Sequence, residues 1–323
     1  MGLRTSLCSS VLALAALGAA LVGANAQQPS ANQVQLAREA QNRIPNTPGD
    51  GPYPAVIESD PRIPGHVIYR PADLTPFGGG KLPVVAWGNG GCADDGTAHR
   101  FHLAQIASYG YLVVAAGHWR SGPGATDGPA PQRASTGGGL PPVATTTDDV
   151  KAGLDWAISE TARSDSKYYG RIDRGALAVA GHSCGGLQAI ELAGDPRIKT
   201  VLVHNSGIYN DGAGRIPGMS VSKDMLNNFH TPVLYVLGGP EDIAYPNGTD
   251  DYERVERVPI VLADLPVGHG GTFSEPMGGA VAQITVDWLE WHLKGDKVAA
   301  RTFLGENCRL CSGTDWTLQR KGF

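Results

Sequence analysis

The chain is short of three things, and each shortage removes a class of function. Beyond its first 26 residues it has no uninterrupted apolar stretch of the roughly 20 residues that a membrane span needs, so no stable membrane anchor is expected there. It has no block of Lys or Arg: 26 basic residues stand against 31 acidic ones, for a formal net charge of -5, which speaks against nucleic acid held by a general basic field. Charge of either sign is sparse, at 18% of residues, while glycine and proline number 44 and 23. That composition suits a compact fold with long ordered loops rather than a disordered acidic chain. No repeat and no shift in composition marks a boundary, so the 323 residues are read as one elaborated domain, residues 51–323, ending in a cysteine-containing tail.

The start of the chain is different. Arg4, the apolar run Val11 to Val22 and the small-x-small site Ala24-Asn25-Ala26 have the form of an export signal, about a dozen apolar residues being too few to span a bilayer. Residues 1–26 are therefore expected to be cleaved, leaving a secreted or periplasmic protein. Residues 27–50, rich in Gln, Asn and Pro, are expected to form a flexible leader.

Cysteine is scarce too. Removing the signal takes Cys8 and leaves Cys92, Cys184, Cys308 and Cys311, an even number in an oxidising compartment and hence a disulfide expectation. Four cysteines allow three pairings. The Cys308-x-x-Cys311 spacing also fits a redox or zinc motif, but no further Cys or His stands nearby at ligand spacing, and the pair follows the domain rather than opening a helix after a strand. A local disulfide is the better reading, and no metal or cofactor is expected.

What is present is an alternation of short apolar runs with helical stretches, the pattern of βαβ units and a parallel sheet. Ala55 to Ile57 and His66 to Tyr69 read as an antiparallel pair at the sheet edge. Strands follow at Leu82 to Trp87, Tyr111 to Ala116, Ala176 to Ala180, Lys199 to His204, Pro232 to Leu237 and Val258 to Ala263. Helices are expected at Thr97 to Tyr109, Thr147 to Ser159, Leu187 to Ala193 and Ala280 to Leu293. Ser121 to Thr145, crowded with Gly and Pro, is a long irregular insertion of the kind that often borders an active site.

One motif carries chemistry. Gly181-His182-Ser183-Cys184-Gly185 is a G-x-S-x-G placed between an apolar strand and a helix, where a nucleophile elbow requires it; the alternative is a glycine-rich turn with an incidental serine. A serine hydroxyl needs a base within hydrogen-bond reach and a carboxylate to hold that base in one tautomer. In the order Ser, acid, His, His269 in Gly268-His269-Gly270-Gly271 follows the last strand, and Asp242 lies in the turn after Pro232 to Leu237. Glu241 is the near rival for the acid. Asp250 and Asp251 fall in what reads as a surface loop, which also holds Asn247-Gly248-Thr249, a glycosylation acceptor sequence. His118 and His204 follow strands and are read as pocket or structural residues.

An oxyanion needs preorganised N–H donors. The amide of Cys184 is one candidate; Gly90 or Gly91, in the glycine-rich loop after Leu82 to Trp87, supplies the other. If both converge on one oxygen, Cys92 and Cys184 approach the ~6 Å Cα separation that a disulfide accepts. The expected pairs are Cys92 with Cys184 and Cys308 with Cys311.

With these parts assembled, residues from about Val56 to Leu293 resemble the α/β-hydrolase superfamily, and more loosely its dienelactone-hydrolase, chlorophyllase and cutinase-like branches. The resemblance implies a mostly parallel sheet of about eight strands flanked by helices, a Ser183, His269, Asp242 triad without metal, and a small-molecule or polymeric ester as substrate. Two departures leave the branch open. Asn89 stands where one lipase group has the His of His-Gly-Gly-Gly, and Ser183 stands where dienelactone hydrolases have Cys. The function expected is that of a secreted serine hydrolase cleaving carboxylic esters. Alternatives are a polyester or cutin depolymerase, with Trp119 as an aromatic contact, a lipase or serine peptidase of the same fold, or an inactive hydrolase-fold binding protein.

Overall fold

The protein is described by a computed structural model that covers Leu36, residues 39–130, 141–210 and 216–323. The expected signal, most of the leader and the centre of the 121–145 insertion lie outside the described residues. The chain divides into two units, Met1–Glu39 and Ala40–Phe323, and every element below belongs to the second.

Nine strands among the described residues form one sheet: β1 Ala55–Glu58, β2 His66–Pro71, β3 Leu82–Gly88, β4 Leu112–Ala116, β5 Ile172–His182, β6 Ile198–His204, β7 Val233–Leu237, β8 Ile260–Asp264 and β9 Thr317–Lys321. Their order across the sheet is β1-β2-β4-β3-β5-β6-β7-β8-β9. The pairs β3/β4, β3/β5, β5/β6, β6/β7 and β7/β8 are parallel. Antiparallel pairing is confined to the two sides, β1/β2/β4 and β8/β9. The helices are α1 Arg100–Ser108, α2 Thr147–Ala162, α3 Cys184–Leu192, α4 Tyr245–Arg254, α5 Gly279–Lys294 and the short α6 Lys297–Ala300 and α7 Arg309–Ser312.

The pleat sorts the strands' side chains into two layers. In β3, Val84 and Ala86 join Ile68, Val114, Leu154 and Ile190 on the face covered by α2 and α3. Val85 and Trp87 join Tyr69, Leu103, Ile106, Ile284 and Trp288 on the face covered by α1 and α5. Strands covered on both faces read as near-continuous apolar runs, which is why β3, β4, β7 and β8 are legible. The fold is therefore α/β, with a mostly parallel sheet flanked by helices. Thr146 caps α2 through a capping box with Asp149, and Asp148 adds negative charge to its first turn.

Several expectations are corrected. β5 starts at Ile172 rather than Ala176, and α3 starts directly at Cys184 rather than Leu187. β9 has no counterpart in the sequence reading: it is a polar, half-exposed edge strand, Thr-Leu-Gln-Arg-Lys, without the apolar alternation that reveals strands. The segment read as a surface loop around Asp250 and Asp251 is helix α4, and Asp251 on it is fully buried. Packing also reaches back beyond residue 51. Arg100 donates to the carbonyls of Gln41 and Ile44, and Gln105 and Asp50 bond each other through both backbone and side chain. Among the described residues no helix is long and apolar enough to cross a membrane.

Strand order positions the site. After β3 the chain passes through α1 to β4 on one side and later returns through α2 to β5 on the other, so the order reverses at β3. In open α/β sheets the crevice beyond the carboxyl ends of the strands at such a reversal is where ligands bind. The loop after β3 and the turn after β5 meet there.

Candidate active site

Ser183 sits between β5 and α3 with φ 53° and ψ -118°. A non-glycine residue at positive φ is strained, at a cost of order 1–3 kcal/mol, and the surrounding contacts hold it there. Its N–H donates to His204 O at 2.9 Å, and its carbonyl accepts from Ser206 Oγ at 2.6 Å. Close approach fixes the two motif glycines: a Cβ on Gly181 would lie 2.1 Å from Gly185 O, and one on Gly185 would lie 2.0 Å from Gly88 O.

His269, in the loop after β8, brings Nε2 to 2.9 Å from Ser183 Oγ and Nδ1 to 2.6 Å from Asp242 Oδ1. A carboxylate only accepts, so the proton is on Nδ1, and Nε2 is left to accept from the serine hydroxyl. Asp242 is buried and makes three further bonds. Its Oδ2 accepts from Gly238 N–H at 3.0 Å and from Asn205 Nδ2 at 2.9 Å, and its Oδ1 from Ala244 N–H at 2.9 Å. Burial pushes this carboxyl up, but the bonds from His269, Ala244 and Asn205 prevail and hold it below the usual range. A depressed carboxyl stabilises the fold at pH values above its unfolded pKa, and that contribution is lost as the pH falls through the folded value. Glu241, the rival for the acid, is exposed. The structure thus brings Ser183, His269 and Asp242 together and leaves Glu241 in solvent.

Cys92 and Cys184 are bridged with Cα atoms 5.2 Å apart, and Cys308 and Cys311 with Cα atoms 4.9 Å apart, the two pairs expected. The first bridge joins the loop after β3 to the residue after Ser183. Asn89 O reinforces that junction, accepting from Cys92 N–H and from Gly185 N–H, each at 3.0 Å. Gly90 and Gly91 part company here. Gly91 lines the cavity beside Ser183 and Cys184, whereas Gly90 packs on His182, whose Nδ1 would be 2.5 Å from a Cβ at that position.

That cavity, about 290 Å³, has Leu187, Tyr209, Ile216 and Ile243 as the large apolar side chains of its lining. Among its described lining residues none is Asp, Glu, Lys or Arg. Ile243 stands at its edge, 75% exposed. Asn247, read as a loop glycosylation acceptor, instead lies on α4, lines the cavity and accepts from Asn210 N–H through Oδ1. Trp119 does not line it and packs against the layer that contains Trp87. His118 is bound to Asp94, with Nδ1 and Oδ1 2.6 Å apart, and His204 is buried with Nε2 bonded to Thr285 Oγ1 at 2.9 Å. Among the described residues no group of three or more His, Cys, Asp or Glu side chains is arranged to hold a metal ion.

Two contributors escaped the sequence reading. Asn205 follows β6 at φ 45°, a left-handed conformation that Asn tolerates better than most residues, and it bonds both Asp242 and Gly268 O. An Asn-Ser-Gly run directly after a strand is the local signal that marked it. Asp251 is the other. Its carboxylate accepts from Ile208 N–H at 2.8 Å, Tyr235 Oη at 3.1 Å and Lys223 Nζ at 2.6 Å, tying α4 to the segment that borders the cavity. Burial pushes this carboxyl up to about 6 against the pull of Lys223 and the other donors. Folding therefore favours its protonated form: the stability it contributes is present below the unfolded carboxylate value and is lost as the pH rises through about 6. Measured against the non-titrating Asp251→Asn, the wild type is expected to lose about 2 kcal/mol of unfolding free energy between pH 4 and pH 7. Urea unfolding of both proteins at the two pH values checks this, and a constant difference contradicts it.

No protein-family model matches the chain, and a search of curated proteins finds no significant match.

Proposed function

We propose that the protein is an exported serine hydrolase of the α/β-hydrolase type that cleaves carboxylic esters through an acyl-enzyme on Ser183. The observation that carries this reading is the unbroken line of bonds from Ser183 Oγ to His269 Nε2, at 2.9 Å, and from His269 Nδ1 to Asp242, at 2.6 Å. In the reaction Ser183 Oγ attacks the ester carbonyl while His269 Nε2 takes its proton. His269 then gives that proton to the departing alcohol, and a water activated in the same way releases the acid. Asp242 holds the imidazole in the productive tautomer. The N–H of Cys184, first residue of α3 and so without an acceptor inside the helix, and the N–H of Gly91 are the proposed oxyanion donors. Each such donor contributes about 3–4 kcal/mol where one has been removed. The cavity supports Gly91 over Gly90.

The apolar lining of Leu187, Tyr209, Ile216 and Ile243, with no Asp, Glu, Lys or Arg among the described lining residues, supports an uncharged ester. The exposure of Ile243 at the edge favours a second reading within the same chemistry, a polyester chain that extends past the cavity. Two disulfides suit an oxidising compartment, which agrees with export directed by residues 1–26.

The test is to treat the purified protein with a fluorophosphonate probe and to assay short p-nitrophenyl esters, a dispersed polyester and peptide anilides. Labelling, with turnover of esters and not of anilides, is expected. A folded protein that takes no label and turns over none of these sinks the reading; anilide turnover moves it to a peptidase.

A further inference from the structure

The loop that carries His269 leaves open space beside the two glycines that flank it. A Cβ placed on Gly268 or on Gly270 would meet nothing within 4 Å. Gly268 is held on both sides, its N–H donating to Gly238 O at 2.7 Å and its carbonyl accepting from Asn205. The imidazole is held by Asp242 and Ser183. The main chain of His269 is met by a different group: His182 Nε2 lies 2.8 Å from His269 O. His182 ends β5 and immediately precedes Ser183, so the residue beside the nucleophile grips the backbone of the base.

The protons in this contact are determined by elimination. A carbonyl only accepts, so His182 Nε2 carries hydrogen; a neutral ring then leaves Nδ1 as an acceptor. His99 Nε2 lies 3.2 Å from that Nδ1 and must be the donor. Burial keeps both rings neutral, pushing His182 down to about 4 and His99 well below the usual range. Donation therefore runs one way, from His99 to His182 to the His269 carbonyl. The rings are held in place by edge-on packing, with His99 and His182 each 4.8 Å from Phe273, and His99 5.4 Å from Trp87.

We propose that His182 is a positioning residue, whose Nε2–H, oriented by His99, fixes the His269 carbonyl and with it the reach of His269 Nε2 to Ser183 Oγ. The proposal rests on the hydrolase reading above and adds a part to it. Because a misplacement of about 1 Å costs on the order of 10²-fold in rate, a contact that sets this distance has a large effect without touching substrate.

Two amides separate positioning from packing. The amide nitrogen of Gln reaches about as far as imidazole Nε2, and that of Asn only as far as Nδ1. His182→Asn is expected to lower kcat by about 10²-fold with KM within about twofold, and His182→Gln to recover most of that loss. Equal losses in the two variants, or a folded His182→Asn with wild-type kcat, overturn the proposal. Should His182→Asn not fold, His99→Phe serves, because it keeps the ring packing and removes only the donor to His182 Nδ1; wild-type kcat there overturns the proposal as well. A second readout does not depend on ester turnover. The proton shared by His269 Nδ1 and Asp242 gives a far-downfield resonance in proton NMR, identified by its absence in His269→Gln. It is expected to shift or broaden in His182→Asn and to return in His182→Gln. A resonance unchanged in His182→Asn removes the positioning role even if the protein proves not to be an esterase.

Discussion

Ser183→Ala is expected to lower ester hydrolysis by about 10⁶-fold, the scale on which a serine nucleophile is lost, and Asp242→Asn to lower kcat by about 10⁴-fold, both with the fold intact. The second figure comes from tautomer control rather than from charge alone. An Asn side chain that turns its NH2 toward His269 Nδ1 makes that nitrogen an acceptor and sends the ring proton to Nε2. Nε2 then points a hydrogen at Ser183 Oγ, 2.9 Å away, and can no longer take one. Glu241→Gln is the control, because Glu241 is exposed while Asp242 is buried under four hydrogen bonds; it is expected to leave kcat within about twofold, as surface changes usually do. Steady-state kinetics on a p-nitrophenyl ester, together with thermal unfolding of each variant, checks the set. Equal effects at positions 241 and 242 would falsify the assignment of the acid.

The contrast between those two neighbours shows where sequence stops being informative. Ser183 and its glycines are legible because an elbow is a local object: an apolar strand, a tight turn and a helix, all within the reach of a motif. His269 is legible from chain order and from the glycines around it. Which of Glu241 and Asp242 faces inward is decided by the turn in which Asp242 N–H bonds Gly239 O at 2.9 Å, and no spacing rule carries that information. Asn205, His99 and His182 act across strands that are distant in sequence, so their roles exist only once β3, β5, β6 and the His269 loop are adjacent. The helix α4 failed for a different reason. Tyr-Pro-Asn-Gly-Thr-Asp-Asp is poor in helix formers, and the buried anchor Asp251 overrides that local preference. β9 lies at the sheet edge with few buried side chains, so it carries little of the hydrophobic signal by which strands are read.

The two disulfides are expected to differ sharply when cut. Cys92 and Cys184 are 92 residues apart in sequence and Cys308 and Cys311 only 3. On the chain-entropy account, closing a loop of about 100 residues stabilises by about 4.7 kcal/mol and a loop of four by about 2. The double variant Cys92→Ala/Cys184→Ala should therefore show the larger fall in urea midpoint. It should also lose activity, because that bridge joins the Gly91 segment to Cys184, whose two amides are the proposed oxyanion donors. The loss is bounded on both sides. The Asn89 carbonyl still accepts from Cys92 N–H and Gly185 N–H, the first of which alanine preserves as a backbone group, so the two donors are loosened rather than removed. A fall of at least about tenfold in kcat is expected, less than the 10²–10³-fold that deleting one donor costs. Cys308→Ala/Cys311→Ala, far along the chain from these amides, should leave kcat unchanged. Reduction should follow the same order in time: Cys311 is exposed, while Cys92 and Cys184 are 0% and 2% exposed, so a mild thiol opens the tail bridge first with activity intact. Thiol trapping followed by peptide mapping, alongside the residual ester rate, separates the two events. Activity that falls as the tail bridge opens, or that survives loss of the Cys92–Cys184 bridge, removes the proposed link between that bridge and the oxyanion donors.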